Sequence, residues 1–187
     1  MENKQESGNN YGKFFGMIAT AMVAMFFLMY TNSYQILDHF WFSETRFFMT
    51  LIMAGSMTII MLLFMLGMYK NRGVNIAIIC LGILLIASGI GLVRSQVTVT
   101  GVDYMEGMIP HHSIAILTSE RSQIEDIRVR KLADEIIKAQ RREIMEMEWL
   151  INDINENGVV ETEEEQKNRP LPKFEGKLDE ETRNLTE

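Results

Sequence analysis

The sequence predicts an all-α protein: three transmembrane helices followed by an extracytoplasmic antiparallel helical hairpin. Three observations carry that prediction. Three long stretches lack any formal charge, apolar residues recur at helical spacing through residues 129–154, and a short polar turn separates that segment from the one before it. Whole-chain averages conceal this division. At 187 residues, net charge −7 and mean hydropathy +0.01, the chain would pass for an acidic soluble domain.

The uncharged stretches are residues 14–37, 47–69 and 73–93. A bilayer core of roughly 30 Å needs about 20 helical residues, so each stretch is long enough to cross it. No small-residue cleavage pattern follows the first, which is therefore expected to be retained. Lys4 and Lys13 precede the first span, and Lys70 and Arg72 flank the turn between the second and third. The positive-inside rule then places the N-terminus and that turn in the cytoplasm, and everything after Arg94 outside. In a bacterium this is the cytoplasmic membrane with a periplasmic C-terminal domain. Met49, Met53, Met57, Met61 and Met65 step by four through the second span. Such steps drift about 40° each on a 3.6-residue helix, so the sulfurs wind round it and are expected to be lipid-facing or packing filler. In the third span Ala87 and Gly91, with Gly82 and Gly89 nearby, permit close helix approach. Asp38, His39 and Trp41 read as an interfacial belt.

Beyond a linker (95–102) the hairpin is expected over residues 103–155, with Asp126 as the N-cap of its second helix and Gly158 as its stop. The first 13 residues form a cytoplasmic N-terminus, 14–94 the membrane domain, and 156–187 an acidic tail expected to be mobile. A lone hairpin buries little, so a second copy or the membrane domain is expected to complete it.

One constellation carries chemistry. Met105, Met108 and His111 or His112 share a helical face. Pairing about a turn near residues 124–127 sets His111 opposite Gln140, Met108 opposite Glu143, and Met105 opposite Glu146 and Met147. Thioether and imidazole together suit copper, especially copper(I), and silver(I). Adjacent residues point about 100° apart on a helix, so the spacing offers one histidine to a given ion without choosing which. The competing reading has the methionines filling core gaps and the histidines hydrogen-bonded near a helix start.

Residues 103–150, through MIPHH with Ala115 and Ile116 downstream and KLADEIIKAQRREIMEMEWL, resemble the family called domain of unknown function 305 (DUF 305). That group is ferritin-like and helical, of the four-helix-bundle type, and includes periplasmic copper-binding proteins. The resemblance implies a metal-handling domain; Met108, His111 and His112 match its first helix, and Gln140, Glu143 and Met147 its second.

The expected function is a membrane-anchored envelope protein that captures or buffers copper, or confers resistance to it. The expected metal ligands are Met105, Met108, His111, His112, Glu143 and Met147. A fragment of residues 97–158 should then bind copper(I). The alternative is a structural module whose hairpin mediates oligomerisation or partner docking without metal. Expected partners are the bilayer, the metal ion and further copies of the chain. Catalysis is not expected, because no nucleophile–base pair, phosphate loop or Glu-x-x-His pair is present. The acidic balance argues against nucleic acid, and the single cysteine, Cys80, excludes a disulfide framework.

Overall fold

A computed structural model describes residues 2–31 and 41–178, with side chains from Asn10 onward. Asp38, His39 and the last nine residues of the tail lie outside the described residues. The chain forms two compact units, Met1–Met29 with Glu44–Thr98, and Tyr30–Ser43 with Val99–Glu187.

The first unit holds α1 (Glu2–Leu28), α2 (Glu44–Phe64) and α3 (Arg72–Ser95). All three are long and apolar enough to cross a bilayer, α1 from Asn10 onward. Their outward faces present large apolar side chains, among them Val23, Phe27, Ile60, Leu63, Ile83 and Leu84. Apolar surface of that extent suits lipid rather than water, and marks a membrane protein.

The uncharged first run extends to Leu37, but α1 stops at Leu28. The buried Arg46 donates from Nη1 to the Met29 carbonyl at 3.1 Å. A guanidinium there meets the carbonyls that a helix C-terminus leaves unpaired. The second span also ends early, at Phe64, where the Met65 amide is shared between the Met61 and Leu62 carbonyls. Asn71 then caps α3, its Oδ1 accepting from the amides of Gly73 and Val74 at 3.1 and 3.3 Å. Tyr11 ties α1 to this turn by donating to Asn75 Oδ1 at 2.7 Å, while Asn75 Nδ2 donates to the Tyr69 carbonyl.

Small residues set the α2–α3 approach, but not all those expected. A Cβ on Gly55 would meet the Gly82 carbonyl at 2.5 Å, one on Gly82 would meet Ile59 at 2.6 Å, and one on Gly89 would meet Ile52 at 2.7 Å. Gly91 faces open space. Gly82 and Gly89 lie seven apart, two full turns, which keeps both on one face of α3. The methionine column winds as its spacing dictates. Met49 is exposed, whereas Met57, Met61 and Met65 pack on the cluster of Phe14, Ile18, Leu62, Tyr69 and Ile78.

The second unit is built on α4 (Gly101–Arg121) and α5 (Ile127–Asn157), joined by residues 122–126. Thr100 and Asp103 form a reciprocal capping box at the start of α4. Pro110 lies inside this helix, which continues through it. Asp126 caps α5 by accepting from the Arg128 amide at 2.8 Å, and Gly158, at φ 82°, stops it. That left-handed φ is one glycine adopts without a Cβ penalty. The shared core is Met105, Ile109, Ile116, Ile137, Ile144, Met147 and Ile151.

In the segment read from sequence as a mobile tail, α6 (Glu163–Asn168) forms behind a second capping box, Thr162 with Glu165. Arg169 reaches Asp153 at 3.0 Å and the Asn157 carbonyl at 3.1 Å. Leu178 packs on the α4–α5 core, and Gly176 lies so close to the Lys138 carbonyl that a Cβ there would collide with it.

Two outcomes test this account. Gly55→Leu or Gly82→Leu should destabilise the detergent-solubilised protein by about 1–3 kcal/mol through overpacking, with Gly91→Leu near neutral, read as melting temperatures. Arg128 and the helix amides hold the Asp126 carboxyl down from 3.8 to about 2. A depressed folded pKa means that the cap contributes fully above the ordinary value and is lost as pH falls through about 2. Asp126→Ala should therefore flatten that part of the acid dependence of helicity, measured by far-UV circular dichroism.

Candidate functional site

The chemistry of the second unit centres on His112. Pro110 and Ser113 beside it are fully buried, and His112 itself is 9% exposed. His111 is exposed, its ring turned 66° from that of His112. The structure therefore separates the two histidines that spacing alone could not. His112 Nδ1 lies 2.9 Å from the Met108 carbonyl, and Nε2 lies 2.8 Å from Glu143 Oε2. A carbonyl only accepts, so Nδ1 must carry the donating proton. The second contact likewise needs one shared proton between ring and carboxylate.

This pairing differs by one turn from the expected one, which set Met108 on Glu143 and His111 on Gln140. Helical side chains lean toward their own N-terminus. On α4 that direction runs away from the connecting turn, and on α5 it runs toward it. A residue of α4 therefore meets a residue of α5 that lies further from the turn than backbone levels suggest. Glu120 and Arg141, with longer arms, meet at 2.6 Å across a larger offset in the same direction.

Methionines lie on the same two helices. Met108 stands one turn before His112 on α4, and Met147 one turn after Glu143 on α5. Met105 and Met147 are buried in the common core, with Met108 packed against it. Gln140 is partly buried. Arg142 lies 3.5 Å from both Glu143 and Glu146. At the α4 entrance, burial and the neighbouring Asp103 push the Glu106 carboxyl above its ordinary range. Among the described residues no group of three or more His, Cys, Asp or Glu side chains gathers as a metal site.

Sequence reasoning missed three contributors. Tyr30 and Ser43, each 2% exposed, come from the connection between α1 and α2, and the Ser43 amide donates to Tyr30 Oη at 3.2 Å. A Cβ on Gly107 would stand 3.1 Å from Ser43 Oγ, so the glycine admits this segment against α4. Trp41, read from sequence only as part of an interfacial belt, packs on the α4–α5 core. The available signals were an uncapped Gly107 inside a helix and a hydroxyl–aromatic cluster at the end of an apolar run. Arg141, placed on the polar face by periodicity, is held by Glu120 and donates to the Lys177 carbonyl at 2.7 Å.

Fold and site together define a helical membrane protein with a histidine–carboxylate pair bridging a helical hairpin. Residues 101–185 match the family model described as Domain of unknown function (DUF305). Uncharacterized protein L153 of Acanthamoeba polyphaga mimivirus is 31% identical over 109 residues, covering 57% of this chain and 70% of that protein. The chain belongs to the DUF305 family. No solved structure matches it.

Removing the bridge should cost stability. Glu143 is more than a third exposed, so His112→Ala or Glu143→Ala should each lose about 1 kcal/mol, at the lower end for a charged hydrogen bond. His111→Ala should stay within about 0.5 kcal/mol of wild type. Chemical denaturation in detergent measures all three.

Proposed function

We propose that the protein is a membrane-anchored, homo-oligomeric envelope protein that binds copper(I), or silver(I) as its surrogate, for capture, buffering or resistance. His112 and Glu143 would supply nitrogen and oxygen, and Met105, Met108 and Met147 the thioethers. The exposed His111 would meet an incoming ion first. In this reading the N-terminus is cytoplasmic and the hairpin faces the outside of a bacterial cytoplasmic membrane, as the lysines and arginines of the short loops favour. The role is binding without catalysis.

One observation carries the proposal. The Met108 carbonyl fixes the His112 tautomer and leaves Nε2 as the atom aimed at a carboxylate. Metal-ligating histidines characteristically donate their other nitrogen to such an acceptor. The proton between Nε2 and Glu143 would leave as the ion entered.

A second reading has its own support. The same bridge is satisfied without metal, and Met105 and Met147 already serve as core residues. On this view His112 only locks the hairpin, which acts as an interaction module.

Competition between the full chain in detergent and a chromogenic copper(I) chelator separates them. Metal binding predicts that His112→Ala weakens affinity by roughly tenfold or more, about 1.4 kcal/mol. It also predicts that His111→Ala/His112→Ala abolishes binding. Unchanged affinity in the double variant, with no rise in melting temperature on adding copper(I), would establish the locking role.

A further inference from the structure

Val129, Leu132 and Ile136 of α5 form an apolar column that no described residue covers; Leu132 is 57% exposed and Val129 49%. Their spacing of three and four residues keeps them on one helical face. They flank the buried positions Ala133 and Ile137, so the column borders the core. The tail does not cover it, because it crosses α5 at the backbone of Lys138 and Arg142, more than a right angle round the helix from Ile136. The column continues toward Glu143, seven residues beyond Ile136.

We propose that this face docks on the same face of a second copy of the chain, α5 against α5, antiparallel, with a two-fold axis at Leu132. The argument is self-complementarity. A crossing centred on Leu132 sets that residue against its own counterpart and Val129 against the second copy's Ile136. It also brings the exposed Arg128 opposite the second copy's Glu135, and the reverse. An isologous interface requires such reciprocity. Arg128 is engaged with Asp126 at 2.6 Å, but a pair that open to water holds it weakly. Three side chains a side fall short of the roughly 800 Å² per partner of a stable interface. Such a contact is weak and reversible, and covalent trapping reads it out. The inference rests on the homo-oligomer of the reading above and not on its metal.

The test is disulfide trapping of the full chain in native membranes, in a Cys80→Ser background, with diamide as oxidant and a metal chelator present. Leu132→Cys should give a cross-linked dimer several-fold more abundant than Asn152→Cys, an exposed site away from the column. Adding Arg128→Glu or Glu135→Arg singly should suppress the cross-link, and the double exchange should restore it. Cross-linking of Leu132→Cys no greater than of Asn152→Cys would overturn the proposal. So would a Leu132→Cys thiol that resists maleimide in a monomeric chain, since a segment of the same chain would then be the occupant. Because metal is excluded, this result and the copper(I) competition fail independently.

Discussion

Two helices share one face, and that constraint governs the water-exposed half of this protein. Each of α4 and α5 can bury a single stripe against the other, leaving the flanks of the stripe to be dealt with separately. A hairpin so exposed has little stability of its own. The chain answers by borrowing segments from elsewhere in its sequence. Trp41 and Ser43 come from the connection between α1 and α2, and Leu178 from beyond α6. Gly107 and Gly176 mark where the borrowed segments come closest, since a side chain at either would push them away.

Within that core the His112–Glu143 bridge adds register rather than bulk. Isoleucines at 109, 116, 137, 144 and 151 would tolerate a slide of one helix along the other with modest loss. A buried imidazole with both nitrogens committed does not, because a slide of one turn would strand a polar group away from water. Buried polar groups fix register in other helical assemblies for the same reason. The same rigidity would suit a metal site, since it presents donor atoms in place before any ion arrives.

What the sequence revealed, and what it did not, divides along the range of the interactions. Charge-free runs, helix periodicity, the Asp126 cap and the Gly158 stop are local; the cap and the stop lie where the sequence put them, and the three runs give three long apolar helices, the first two shorter than their runs. The candidate ligands were found through spacing on single helices, and the structure brings His112 and Glu143 together. The partner of Glu143 was set one turn wrongly, because lean of side chains along a helix is invisible to a pairing based on backbone levels. The choice between Gly82 with Gly89 and Ala87 with Gly91 depends on how α2 lies against α3, which no property of α3 alone decides. The packing of Trp41 was not legible, because its neighbours in space are core residues 60 and more positions away.

This long-range borrowing changes which part of the protein can be asked about metal. Residues 97–158 contain every candidate ligand and would be the natural soluble fragment. That fragment nevertheless omits Trp41, which packs on the α4–α5 core, Ser43, which lies against Gly107, and Arg169 and Leu178, which pin the tail to the hairpin. Cutting there would expose the flank that Trp41 and Leu178 cover, and with it part of the packing that holds Met105 and Met147. A weak or absent copper response from the fragment would then report lost packing as readily as missing ligands. The chain itself sets the remedy: it leaves the first unit at Tyr30, returns at Glu44 and leaves again at Val99. The placement of Met105, His112, Glu143 and Met147 is thus supported by residues outside 97–158, which the full chain supplies.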